Sequence, residues 1–235
     1  YNRCSDLGLV AKTLFIEGIE KVEKFKIIVG HPIRPALAER LSSPEDIIKK
    51  IGTCAVEPKY DGFRCQVHKN KNEVQIFSRN LENNTKMFPD IVSAVLKQVK
   101  VKTAIFEGEA LSYNPETGEC LPFQVTVKRK RKYDIAEKMA QYPLQLFIFD
   151  LLYAQDEDLT GLSYTKRREK LKEILSIGEI LKESESQIVD TGDKLAKIFD
   201  DAITRGLEGI VAKRLDSPYQ AGGRNFNWIK LKRSY

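Results

Sequence analysis

The chain is poor in the residues that staple small or secreted folds together. Its 235 residues contain four cysteines, Cys4, Cys54, Cys65 and Cys120, and two histidines, His31 and His68. No pair has Cys-x-x-Cys spacing, which argues against a structural zinc site or a disulfide framework and for a reducing, intracellular setting. Long apolar runs are lacking too. The stretch Leu144 to Tyr153 is too short to span a bilayer and carries Asp150, so neither a membrane partner nor a signal peptide is expected. No internal repeat or low-complexity linker stands out.

What is present suits one large domain with two lobes. A 42% hydrophobic content supplies a sizeable core. The net charge of +6 suits a polyanionic partner without requiring one. Apolar spacing predicts helices over 5–18, 43–51, 88–99, 165–175 (a basic amphipathic one) and 193–205. Period-two or continuous apolar stretches predict strands over 74–78, 103–111, 120–127, 144–153, 187–191, 209–212 and 226–231. Gly30 to Ala38 reads as an extended, proline-rich connector. The sum is an α+β fold of mostly antiparallel sheets with flanking helices. Lys128 to Lys132, five basic residues in a row, reads equally as a solvated loop or a phosphate contact. The cysteines and Tyr60 read as packing residues.

The chemistry concentrates in Glu57-Pro58-Lys59-Tyr60-Asp61-Gly62-Phe63-Arg64. An apolar run precedes it, an alternating stretch follows it, and Gly62 marks a sharp turn between two strands. Lys59 therefore stands at a strand end, flanked by Glu57 and Asp61. A lysine is a nucleophile only when neutral, and its ordinary pKa is about 10.4; neighbouring cations or a dry pocket favour the neutral amine. Taken alone, the motif is matched in weight by the reading of Lys59 and Asp61 as ordinary turn residues. Further segments shift that balance: Ser78-Arg79-Asn80, Glu107-Gly108-Glu109, Phe147 to Tyr153, Glu208 to Lys213 and Trp228 to Lys232. Lys230, Lys232 and Trp228 share parity and can face one cleft. Glu208 and Lys213 have opposite parity, so Glu208 is expected at the strand start or at a bulge.

In kind and order these segments resemble the motifs of covalent nucleotidyltransferases; Phe149 to Tyr153 and Trp228 to Tyr235 look like ATP-dependent DNA ligases, and nearly the whole chain resembles those of the archaeal and eukaryotic replicative type. The resemblance implies a two-lobed, ATP-grasp-like nucleotidyltransferase fold. Residues 1–30 would be the end of a preceding DNA-binding helical domain with its linker, and 31–235 the adenylation domain, the OB-fold domain being absent. It implies ATP as nucleotide, Mg²⁺ as metal, and AMP carried as a phosphoramide on the catalytic Lys59. AMP would then pass to the 5′-phosphate of nicked double-stranded DNA, in replication, repair or recombination. By the same resemblance Glu57 accepts from the adenine amino group and Phe149 stacks on the base. Arg79 contacts the nucleotide or the nick. Arg64, Lys213, Lys230 and Lys232 neutralise the α-phosphate. Glu208 holds metal, and Glu109, in preference to Glu107, serves ribose or metal. A sliding clamp would engage regions outside the chain. The setting would be an archaeal cytoplasm or a eukaryotic nucleus. Two other readings stay open from the residues: an mRNA-capping type of guanylyltransferase and a non-catalytic nucleic-acid-binding module.

Overall fold

A computed structural model describes residues 1–23, 25–129, 134–176 and 178–233. Its strands are β1 (Leu37–Arg40), β2 (Cys54–Lys59), β3 (Phe63–Asn70), β4 (Glu73–Ser78), β5 (Thr103–Ser112), β6 (Leu144–Ala154), β7 (Glu157–Asp158), β8 (Leu181–Glu183), β9 (Gln187–Val189), β10 (Gly209–Arg214) and β11 (Arg224–Lys232). The helices are α1 (Leu7–Glu17), α2 (Ile19–Glu23), α3 (Pro44–Ile51), α4 (Pro89–Gln98), α5 (Phe123–Val127), α6 (Ile135–Gln141), α7 (Tyr164–Ile174) and α8 (Gly192–Thr204). No helix among the described residues is long and apolar enough to cross a membrane.

The strands form two sheets. One runs β1-β11-β10-β2-β9; the other runs β4-β3-β5-β6-β7, with β8 beside β6. Most pairs are antiparallel, but β1 with β11 and β6 with β8 are parallel, so the fold is mixed α+β. Helices α3 and α8 cover the first sheet through Ile47, Leu195 and Ala202, which pack on Val56, Ile210 and Ile229. Helices α4 and α7 cover the second through Ile91, Val95 and Leu171, which pack on Val67, Phe106 and Ile148. Alternating apolar residues on each strand thus seal one face against helices and leave the other for the cleft. The chain crosses from one sheet to the other between β2 and β3. Gly62 sits at that crossing because a Cβ there would stand 2.4 Å from the Ala110 carbonyl oxygen.

Several expectations need correction. Residues 120–127 do not form a strand: Cys120 makes one isolated bridge to Tyr113, and Phe123–Val127 is the short helix α5. Pro122 starts that turn by accepting from Val125 N–H, and the Thr126 hydroxyl accepts from Ser112 N–H at the end of β5. The connector is not wholly irregular, since Leu37–Arg40 extends the sheet beside β11. Cys4, Cys54 and Cys65 are buried as packing residues should be, but Cys120 is exposed. In the basic run, Lys130 to Lys132 lie outside the described residues. Arg129 is buried, with Nη2 shared between the two Asp90 oxygens at 2.8 and 2.7 Å, so it is not a free phosphate contact. Helix α1 buries none of its residues.

The most enclosed ion pair joins α7 to β6. Arg167 donates to both Asp150 oxygens at 2.7 and 2.9 Å, and its Nη1 donates to the carbonyls of Leu162 and Ser217. Neither side chain reaches solvent. The basic face expected of this helix is therefore partly an interior one. Arg167→Met is expected to strand Asp150 as a buried charge and cost about 3–5 kcal/mol, read by urea unfolding; a loss within the error of the midpoint would show that the pair does not hold α7 in place.

Candidate active site

The cleft between the sheets is built by register. In the first sheet Lys59 pairs with Gly209, and Gly209 with Lys232; Glu57 pairs with Val211, and Val211 with Lys230; Lys213 pairs with Ala55 and Trp228. Paired residues point to the same face, so three cross-strand rows share one surface. Gly209 leaves the first row open between its two lysines. Its φ of 149° belongs to glycine, and a Cβ would stand 2.1 Å from the Leu231 carbonyl oxygen. That residue lets Glu208, one position before β10, turn onto the cleft face and resolves the parity conflict. Glu208 Oε2 accepts from Lys59 Nζ and Oε1 from Lys232 Nζ at 3.1 Å. Burial pushes the Glu208 carboxyl up, but the bonds from Lys59 and Lys232 outweigh it and hold it below its ordinary range.

Arg79, Arg224 and Lys230 line the same end. Burial lowers the Lys230 pKa, and the charges of Arg224, Lys59, Lys232 and Arg79 lower it further. Cations crowded closely enough to lower the pKa of Lys230 make a site for a polyanion.

The other end is aromatic. Phe149 is the extra residue of a bulge in β6, where Glu107 pairs with Asp150 but Gly108 pairs with Ile148. Bulges re-aim side chains; here the Phe149 ring meets Trp228 edge-on at 6.1 Å. Glu57 lies nearby, buried, accepting from the Tyr164 hydroxyl on Oε1 and from Lys213 Nζ on Oε2 at 2.8 Å, with Arg168 Nη1 3.6 Å away. Burial and then the Glu57 charge raise the Tyr164 pKa far above its ordinary value. Lys213 also donates to the Phe149 carbonyl at 3.2 Å, and its ammonium sits 4.4 Å from the Trp228 ring centre. Burial lowers the Lys213 pKa despite the opposing pull of Glu57 and Asp150.

A cleft of about 530 Å³ joins the two ends. All ten sequence-selected positions line it: Glu57, Lys59, Arg64, Arg79, Glu109, Phe149, Glu208, Lys213, Lys230 and Lys232. The family model for the ATP dependent DNA ligase domain matches residues 35–232. The chain belongs to the ATP-dependent DNA ligase family. It is 61% identical over 235 residues to a probable DNA ligase of Dictyoglomus turgidum (strain DSM 6724 / Z-1310) and 45% identical over 238 aligned positions to the DNA ligase of Sulfolobus acidocaldarius. In both cases all of the chain is matched, and it spans 40% of the relative. Among solved structures, a mycobacterial DNA ligase D complexed with ATP and MES superposes with a TM-score of 0.61 at 25% identity, over 84% of this chain and 59% of that one. The ATP-dependent ligase of bacteriophage T7 superposes at 0.63 over 85% and 68%, and at 16% identity it speaks for the fold alone.

Within this ligase domain two expectations shift. Lys213 does not stand with the lysines at the Lys59 end. It lies four residues along β10 from the Lys59 row, roughly 13 Å at the strand rise, and its ammonium is committed to Glu57. Arg64 is likewise turned toward the aromatic end, 5.4 Å from the Phe149 ring centre. Glu107 does not line the cleft; it is buried and holds Arg64 Nη2 at 2.7 Å. Sequence reasoning missed Arg224, although it continues the period-two series of Trp228, Lys230 and Lys232. It also missed Tyr164 and Arg168, whose helical spacing carried no sign that they turn inward.

Glu109 supplies a pH signature. Burial drives its carboxyl up to about 7, against the pull of Arg64, Lys59 and the Gly62 N–H. In the unfolded chain it titrates near its ordinary 4.5. The folded state binds the extra proton between those values, so the destabilising charge grows as pH rises from about 4.5 and is complete above about 7. Glu109→Gln is expected to raise the melting temperature more at pH 8 than at pH 5; an equal rise at both, measured by calorimetry, would show that Glu109 ionises in its ordinary range.

Proposed function

We propose that the domain takes AMP from ATP onto Lys59 and passes it to the 5′-phosphate of a nick in double-stranded DNA, whose 3′-hydroxyl then displaces AMP and seals the strand. What carries this reading is the open row Lys59–Gly209–Lys232 with Glu208 laid across it, on the wall of a cleft basic at one end and aromatic at the other.

In the first step Lys59 Nζ bonds to the α-phosphorus, and the bond to the bridging oxygen breaks with its electron pair leaving on pyrophosphate. Nζ attacks as the neutral amine, giving up one proton to water beforehand and another afterwards. Glu208, held below its ordinary range, is a weak proton acceptor and acts as the clamp that aims the amine. Lys230 and Lys232 stand near the amine on the same wall of the cleft. The same two lysines, with Arg79, offset the charge that grows on the phosphates. The nucleoside lies toward Phe149, with Glu109 on the ribose. Glu57 accepts from the adenine amino group; a carboxylate has about four acceptor sites, so capacity remains beside Tyr164 and Lys213.

Magnesium fits this donor set. The ion needs only one or two carboxylates and completes its shell with water and phosphate oxygens, and Glu208 and Glu109 line one cleft. Among the described residues no three His, Cys, Asp or Glu gather as a metal cage, so the ion would arrive with the nucleotide. When bound it would draw negative charge from the phosphate oxygens.

Lys59→Arg is expected to abolish the adduct as fully as Lys59→Ala, because a guanidinium is not neutral near pH 7. Intact mass after incubation with ATP and Mg²⁺ reads this, and an undiminished AMP adduct in either variant removes Lys59 from the role.

Base choice gives a second test. The adenine amino group donates to Glu57, whereas a guanine carbonyl would face it with like polarity. A site of this kind discriminates by several kcal/mol. ATP is expected to charge the protein in clear preference to GTP, and Glu57→Ala to erode that preference. Equal charging by GTP would favour the guanylyltransferase reading, and discrimination unchanged in Glu57→Ala would take Glu57 out of the base pocket.

A further inference from the structure

Behind Arg64 lies a closed ring of hydrogen bonds that the steps above do not use. Arg64 Nη1 donates to the Ala36 carbonyl at 2.8 Å, and Nη2 donates to Glu107 Oε2 at 2.7 Å. The Tyr219 hydroxyl donates to the same Glu107 oxygen at 2.8 Å and accepts from the Ala36 N–H at 2.9 Å. Both backbone groups of one residue are thereby tied to the two ends of one arginine–carboxylate pair.

A second brace holds the other Glu107 oxygen. Gln66 Nε2 donates to Glu107 Oε1 at 3.2 Å and to the Ile33 carbonyl at 2.9 Å, while its Oε1 accepts from the Ile33 N–H at 2.7 Å. His68 fixes the orientation of that amide. Its Nδ1 accepts from the Gly30 N–H at 2.9 Å, so Nε2 carries the hydrogen and donates to Gln66 Oε1 at 3.0 Å. Burial, and then the charge of His31, press the His68 pKa down to about 3, so the ring stays neutral. Gln66 thus fills its four bonding positions, and residues 30–36 form a strap pinned along β3.

The strap leads into the cleft on both sides. Leu37 and Ala38, the next residues, line it. Leu37 N–H donates to the Gly223 carbonyl at 2.9 Å, beside the start of β11, and the Tyr219 ring meets Trp228 edge-on at 5.8 Å.

We propose that Tyr219 and Gln66 are positioning residues for the nucleotide: through Glu107 and the strap they hold the Arg64 guanidinium over Phe149 and Trp228, at the nucleoside end of the cleft. The inference rests on the reading of that cleft as the ATP site. The hydrogen bonds of the two residues run to Glu107, the strap and His68, and not to Lys59, Lys230 or Lys232. Their loss should therefore weaken ATP binding without slowing the bond-forming step, a split that general loosening of the fold would not give.

The test uses the full-length protein. ATP affinity is measured by calorimetry without divalent cation, and the single-turnover rate of adduct formation at saturating ATP with Mg²⁺. Tyr219→Phe keeps the ring against Trp228 and removes the hydroxyl. It is expected to raise the dissociation constant about tenfold, the equivalent of one lost hydrogen bond, and to leave the saturated rate within about twofold of the parent. Gln66→Met is expected to do the same, and it carries the test if Tyr219→Phe does not fold. Glu107→Gln combined with Tyr219→Phe should lose less than the two single changes together, because both act on one carboxylate. An unchanged dissociation constant, or affinity and saturated rate falling in parallel, overturns the proposal. A parent protein that binds ATP but forms no adduct overturns the assigned chemistry and not this inference; one that binds no ATP overturns both.

Discussion

The cleft depends on the register in which β10 lies between β2 and β11. Pairing Lys59 with Gly209 and Gly209 with Lys232 puts two ammonium groups on either side of a residue with no side chain. A slip of one residue would turn the Lys59–Gly209–Lys232 row into the helix-covered core and bring Ile210 and Ile229 to the cleft. The register is fixed from both directions. Val56, Ile210 and Ile229 must face α3 and α8, and Gly209 tolerates no Cβ against the Leu231 carbonyl. The packing that stabilises the sheet is therefore the same packing that aims its chemistry.

The two ends of the cleft handle charge differently. At the Lys59 end Lys59, Lys230, Lys232, Arg79 and Arg224 outnumber the carboxyl groups of Asp61, Glu109 and Glu208 in the cleft lining, and a polyphosphate can neutralise the surplus. At the Phe149 end charges are buried and internally matched: Glu57 with Lys213 and Arg168, Asp150 with Arg167, Glu107 with Arg64. Buried pairs of this kind contribute little net stability but are costly to break. Their effect is to fix the side chains at this end of the cleft.

Much of this was legible in the sequence, because turn chemistry and strand parity are local. Gly62 marked the crossing between sheets, and the parity of Trp228, Lys230 and Lys232 placed them on one face. The parity conflict between Glu208 and Lys213 announced an irregularity, which proved to be Gly209 and its positive φ. What was not legible came from contacts distant in sequence. Alternation over 120–127 looked like a strand, yet Pro122 and the bond from Ser112 to Thr126 made a helical turn. The inward turn of Arg168 toward Glu57, the commitment of Lys213 to that same carboxylate and the bulge that frees Phe149 depend on partners up to a hundred and more residues away. The brace of Gln66, Glu107 and Tyr219 joins three strands and loops that no local pattern connects.

The central claim is that the amine at the end of β2 becomes bonded to phosphorus. The most direct measurement is to charge the protein with ATP and Mg²⁺, map the AMP-bearing peptide and test the bond with acid and with alkali. A phosphorus–nitrogen bond is lost in acid and survives alkali, so the account requires one AMP on the peptide containing Lys59, released by acid alone. AMP on any other residue, or a link that survives acid, would contradict it.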